Sequence, residues 1–187
     1  MMPLFFRWSS MSDEQLMQKA KEGSEHAFGE LYNRHARRLQ GFFARRLGSD
    51  GDLAADFMHD TFLRLYSSRH KYHSGSNFRA WLYTIAYNLV KNHFRNRFVW
   101  VNDERVGVAD DTDVEVDMDE AMLKEALRKV LASMPEPYAM LFSLHYEEEL
   151  TIPQIAKMMS LPEGTVKSRL HKTMKLIKQQ LKEYENH

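Results

Sequence analysis

No cysteine occurs among the 187 residues of this chain. A disulfide framework is therefore excluded, and so is any metal site built on thiolates. That absence fits a reducing compartment, and we expect a cytoplasmic protein. Long apolar runs are missing as well. No stretch approaches the roughly 18 apolar residues needed to span a membrane, so no membrane insertion is expected. The opening MMPLFFRWSS holds an apolar run too short for a signal-peptide core, and Arg7 follows that run instead of preceding it. We read residues 1–10 as an N-terminal extension.

The signatures of catalysis are absent too. There is no phosphate-cradling glycine-rich loop, no nucleophile elbow and no dinucleotide fingerprint. Of the nine histidines, His70 and His73 stand three apart but lack a third ligand at suitable spacing. The alternation Asp111, Asp113, Glu115, Asp117, Asp119 has Val116 where a calcium loop needs glycine and Met122 where it needs glutamate. The expectation is a protein that is not an enzyme and carries no metal or cofactor.

What is present is helix and unevenly placed charge. The net charge is zero, yet residues 1–100 carry +6, residues 101–120 carry −8 and residues 121–187 carry +2. Two basic blocks separated by an acidic one suggest two polyanion-binding domains on a tether. In the first block Ser24 can cap a helix carrying Ala27, Phe28, Leu31, Leu39, Phe42 and Phe43, which the run 48–51 breaks. Asp52 is expected to cap a second helix bearing Leu53, Phe57, Met58, Phe62 and Leu65. Asn77 can cap a third, with Phe78, Leu82, Ile85 and Leu89 at helical steps. From Phe98 to Asp119 the periodicity fails and acidic residues dominate. Helical spacing resumes with Met122, Leu123, Leu127, Val130 and Leu131, then again over Tyr138 to His145. The fold class is all-α: small helical domains over 11–97 and 120–187, joined by a flexible acidic linker over 98–119.

The sharpest motif lies at the C-terminal end. Thr151 can cap a short helix through Ile155, Ala156 and Met159, and Leu161-Pro162-Glu163-Gly164 makes a tight turn. Thr165 then starts a long helix with Val166, Leu170, Met174, Ile177 and Leu181 on its inner face. Its outer face carries Lys167, Arg169, Lys172, Lys175, Lys178 and Lys182, with no acidic residue from Gly164 through Lys182. Such a helix-turn-helix can neutralise phosphates along its length and set its N-terminal residues against base edges. The plainer alternative is a solvated basic helix in an ordinary bundle, and the turn chemistry favours DNA binding.

The run TIPQIAKMMSLPEGTVKSRLHK, residues 151–172, resembles the DNA-binding helix-turn-helix of bacterial sigma factors. Residues 54–65, AADFMHDTFLRL, resemble the sigma segment that docks on the polymerase clamp. Residues 78–97, FRAWLYTIAYNLVKNHFRNR, resemble the segment that reads and opens the minus-ten promoter element. Both domains follow the order of the extracytoplasmic-function (ECF) class, and the resemblance spans nearly all of residues 23–184. It implies a transcription initiation factor that binds core RNA polymerase, at its clamp and flap, and promoter DNA. It further implies an anti-sigma factor as a regulator.

Roles follow residue by residue. Capturing unstacked bases calls for planar surfaces, amides and cations, and the third helix supplies Tyr83, Tyr87, Asn88, Lys91, Asn92, Arg95 and Arg97. Asn88 and Asn92 match family positions that contact minus-ten bases. The loop His73 to Asn77, with Ser76 and Asn77, matches one that cradles a flipped base. Trp81 reads as core. Asp56, Phe57, His59, Asp60 and Leu63 match the clamp-binding surface, although the family usually has glutamine where His59 stands. Lys167, Ser168 and His171 match base-reading positions for the minus-thirty-five element, while Thr165, Arg169 and Lys172 complete that face. The acidic linker has a counterpart that threads the polymerase, and a plain solubilising tether is equally compatible with its residues. The competing reading is a helix-turn-helix regulator of duplex operators, which would have no need of the segment 54–65.

Overall fold

The computed structural model describes residues 8–48, 51–95 and 119–185. The chain forms two compact units, Met1–His93 and Phe94–His187. Among the described residues there is no strand, and no helix is long and apolar enough to cross a membrane.

The first unit holds α1 (Asp13–Lys21), α2 (Glu25–Arg46), α3 (Gly51–Ser67), a short 3-10 turn (Arg69–Lys71) and α4 (Phe78–His93). Local chemistry fixes the starts of these helices. Ser12 and Gln15 form a reciprocal capping box. Ser24 Oγ accepts from the Ala27 N–H at 3.3 Å, and Asn77 Oδ1 accepts from the Ala80 N–H at 2.8 Å, so both expected caps are in place. Asp52 is different. Helix α3 begins one residue earlier, at Gly51, and Asp52 sits inside its first turn, where its charge meets the positive end of the helix dipole.

The core of this unit is built by α2, with α1 and α3 packed on it and α4 closing against α3 and α1. Leu16, Leu31, Leu39, Phe42, Phe43, Leu65, Phe78 and Leu82 are fully buried, each contributing about 1.5–3 kcal/mol of burial.

The second unit holds α5 (Glu120–Ser133), α6 (Glu136–Phe142), a wide π turn (Ser143–Glu147), α7 (Ile152–Met159) and α8 (Glu163–Glu185). Asp119, the last residue of the expected linker, is the N-cap of α5, accepting from the Ala121 and Met122 N–H groups at 3.0 and 2.9 Å. The rest of that linker lies outside the described residues. The helix expected over Tyr138 to His145 is divided, because the backbone widens into the π turn after Phe142. Val130, Leu131, Met134, Tyr138, Phe142, Ile177 and Leu181 form one apolar cluster. It fastens α8 to α5 and α6, so the outer face of α8 is presented from a rigid base.

Candidate nucleic-acid and protein interfaces

Helix α4 sorts its residues between core and solvent. Phe78, Leu82, Tyr83, Ala86, Tyr87, Leu89 and Val90 are buried, whereas Asn88, Lys91, Asn92 and Arg95 are exposed. The two asparagines are one helical turn apart, so their amides project from one face, with the two cations beside them. Arg97 lies outside the described residues.

Tyr83 and Tyr87 are a correction to the sequence reading. They are 1% and 3% exposed and offer no ring for a base to stack on. Tyr83 meets Phe42 edge-on at 5.3 Å between centroids, and burial raises the Tyr87 phenol above its ordinary value. The reason is the width of the buried arc. Helix α4 packs on α3 and α1 and meets His35 and Phe42 of α2, so its apolar stripe extends past the expected four residues and takes in both tyrosines. Ile85, expected in the stripe, is only half-buried.

An aromatic ring does stand on the exposed side, and it is one the spacing had assigned to the core. Trp81 is half-buried and leans on Tyr72 at 5.3 Å between centroids. Positions 81, 85, 88 and 92 follow helical steps of four, three and four, so Trp81 shares a face with Asn88 and Asn92. That spacing was the available signal.

Between the 3-10 turn and α4 runs the loop His73–Asn77, all five residues exposed. It turns tightly, with the Ser76 N–H donating to the His73 carbonyl at 3.0 Å and Gly75 at φ +88°, a conformation that favours glycine.

Helix α3 offers a surface of another kind. Asp56 and His59 are exposed, Asp60 pairs with Arg64 at 3.0 Å, and Leu63 is 68% exposed. Phe57, expected here, points away from these residues. Its ring packs against Phe43 at 5.4 Å and His93 at 5.3 Å, since position 57 lies roughly a quarter-turn from 56, 60 and 63. In its place the structure provides an open apolar groove of about 440 Å³ lined by Glu25, Phe28, Tyr32, His59, Phe62, Leu63 and Tyr66. The two aromatic pairs, 28 with 32 and 62 with 66, come from facing helices, and His59 stacks on Tyr32 at 6.1 Å. Either helix alone shows only half of the groove.

In the second unit Thr151 and Gln154 form a capping box at the start of α7. The helix ends in a Schellman turn: the Leu161 N–H donates to the Ala156 carbonyl and the Ser160 N–H to the Lys157 carbonyl, with Ser160 left-handed at φ 56°. Helix α8 then begins at Glu163, because the Pro162 carbonyl accepts from the Val166 N–H at 3.1 Å. Thr165, expected to start the helix, lies in its first turn and is half-buried. Lys167, Ser168 and His171 are exposed on one face, and Arg169 and Lys172 flank them half-buried. Val166, Leu170, Thr173, Ile177 and Leu181 face inward. The result is a basic ridge standing on an apolar spine, with its polar tip at the helix N-terminal end.

Among the described residues no three His, Asp or Glu side chains converge as a metal would require.

Comparison with known proteins yields matches across both units. The Sigma-70 region 2 family model matches residues 31–97, and the Sigma-70, region 4 model matches residues 124–177. The RNA polymerase sigma factor CarQ of Myxococcus xanthus is 29% identical over 170 residues, which is 90% of this chain and 97% of the relative. The ECF RNA polymerase sigma factor SigW of Bacillus subtilis (strain 168) is 25% identical over 179 residues, or 89% of this chain and 95% of the relative. Among solved structures, CnrH in complex with the cytosolic domain of CnrY aligns with a TM-score of 0.65 at 22% identity, covering 88% of this chain and 94% of that one. The sigma factor RpoE in complex with the anti-sigma factor NepR, from Bartonella quintana, aligns with a TM-score of 0.62 at 21% identity, covering 83% and 96%.

Proposed function

The chain belongs to the sigma-70 family of RNA polymerase sigma factors, in its ECF group, and from that premise we propose that it brings core polymerase to promoters and opens them by binding energy alone. Helix α8 docks in the major groove of the minus-thirty-five element. Lys167, Ser168 and His171 meet base edges there, while Arg169, Lys172 and the lysines beyond hold phosphates. Asn88 and Asn92 read minus-ten bases once these have left the stack, Trp81 supplies the planar surface, and Lys91 and Arg95 hold the backbone. Base capture offsets the few kcal/mol of unstacking. The face Asp56, His59, Asp60 and Leu63, continued by the aromatic groove, docks on the polymerase clamp, and the second unit meets the flap.

One observation carries this reading. A single chain exposes both an asparagine-and-cation strip on α4 and a basic recognition helix on α8, with an acidic, apolar docking face on α3. A regulator of duplex operators has use for the second feature only. We assign the cytoplasm as the site of action and an anti-sigma protein as regulator; the solved RpoE–NepR complex supports that partner class.

The test uses core polymerase and promoters enriched from a random library by transcription. The chain should co-elute with core polymerase, and minus-ten thymines should become reactive to permanganate. Changing Asn88 and Asn92 together to alanine should lower that reactivity at least tenfold without altering co-elution. A chain that binds duplex DNA but neither joins core polymerase nor opens DNA would be an operator-binding regulator.

A further inference from the structure

Helix α1 lies ahead of residue 31, where the region 2 match begins, yet its polar face is spent on one object. Glu14, Gln18 and Lys21 stand at steps of four and three, on one side of the helix. Each reaches the segment that carries the His73–Asn77 loop. Lys21 Nζ donates to the Tyr72 carbonyl at 2.6 Å, ahead of the loop. Ser74 Oγ donates to Gln18 Oε1 at 3.0 Å, within it. The Phe78 N–H donates to Glu14 Oε1 at 3.2 Å, where the loop enters α4. The helix therefore grips the loop at its beginning, middle and end.

The helix itself is anchored. Leu16, Met17 and Ala20 are buried. Asp13 accepts from Arg34 at 3.0 Å and lies 2.7 Å from His35 Nε2. Arg34 further donates to the carbonyls of Trp8, Ser9 and Met11 at 2.8 to 3.0 Å. Inside the loop Tyr72 Oη donates to the Ser76 carbonyl at 2.5 Å. Burial first, then the charges of Glu14 and Asp13, push that phenol up to about 12, so it remains a donor across the physiological range.

We propose that α1 is the template for the base-capturing loop, and that Glu14, Gln18 and Lys21 are positioning residues that set its selectivity. The proposal rests on the loop having that role. A five-residue exposed loop without these contacts samples many conformers, and a pocket that is formed only part of the time binds its base correspondingly more weakly. Selectivity suffers with affinity, because a loosened loop no longer penalises the wrong base.

The experiment repeats library enrichment with core polymerase and the full-length chain. In the double variant Glu14→Ala/Gln18→Ala, the preference for the favoured base at the minus-ten positions should fall about tenfold, with the minus-thirty-five preference unchanged. Glu14→Gln keeps an acceptor and should retain most of the selectivity. Lys19→Ala, whose lysine pairs with Glu22 at the C-terminal end of the helix, should behave as wild type. Hydrogen exchange on the free double variant should be at least tenfold faster at the Ser76 and Phe78 amides, with the α2 amides unaltered. Unchanged minus-ten preference and unchanged exchange would overturn the proposal while leaving the sigma function standing. Loss of both promoter preferences together would make α1 a general support of the fold, which also overturns it. A wild-type chain that enriches no promoter would overturn the sigma reading and this proposal with it.

Discussion

Replacing Tyr83 by alanine should unfold more of the protein than it changes at the DNA. The ring is 1% exposed and set edge-on against Phe42. Truncating a buried aromatic to alanine costs about 3–5 kcal/mol, because lost transfer energy and a residual cavity add. A domain of this size holds only about 5–10 kcal/mol in reserve. With a urea slope of about 1–1.5 kcal/mol/M, the midpoint of the first unit should drop by about 2–5 M. Tyr83→Phe keeps the ring and should cost under about 1.5 kcal/mol. Asn88→Ala, on the exposed side of the same helix, should shift stability by less than about 0.5 kcal/mol. Tryptophan emission in a Trp100→Phe background suits the assay, since Trp8 and Trp81 lie in the first unit and α5 to α8 contain no tryptophan. An unchanged midpoint for Tyr83→Ala, with promoter opening lost, would refute the reasoning and turn the ring towards DNA.

Other outcomes follow from single features. Leu63 is 68% exposed, so Leu63→Asp should leave folding intact while weakening core polymerase binding at least tenfold by fluorescence anisotropy; equal affinity would remove this face from the interface. Ser160 occupies the left-handed position after α7, where a side chain costs about 1 kcal/mol. Ser160→Gly should therefore raise the melting temperature of the second unit by about 3–6 °C, and a lower value would contradict the turn geometry. The hydrogen bond from His35, with help from Arg34, holds the Asp13 carboxyl below its ordinary value of 3.8. A depressed carboxylate stabilises the fold above its unfolded value, and the benefit is lost as pH falls through the lower folded one. Urea midpoints should fall more steeply below about pH 4 for wild type than for Asp13→Asn, and parallel curves would show that the contact contributes nothing.

Much of this was legible along the chain because it is local. Capping at Ser24, Asn77 and Thr151, and the basic outer face of α8, need only neighbours a turn or two away. The misplacements have a shared cause in packing between helices. Tyr83 and Tyr87 were assigned to a surface from their chemistry and Phe57 from the family resemblance, but the arc a helix buries depends on how many partners it has, and α4 meets α1, α2 and α3. Trp81 was assigned to the core for the converse reason. The groove between α2 and α3 requires the register of two helices, which no spacing within one of them encodes. Helix α1 was the avoidable omission: Ser12 with Gln15 three residues on is a capping box written in the sequence. Its three ties to the loop, across more than 50 residues, were not.

The central claim is tested most directly by transcription with core RNA polymerase on a random promoter library, with and without the chain. The account predicts discrete promoter-specific transcripts that depend on the chain and vanish when Asn88 and Asn92 are changed to alanine. Transcripts that are the same with and without the chain would contradict it.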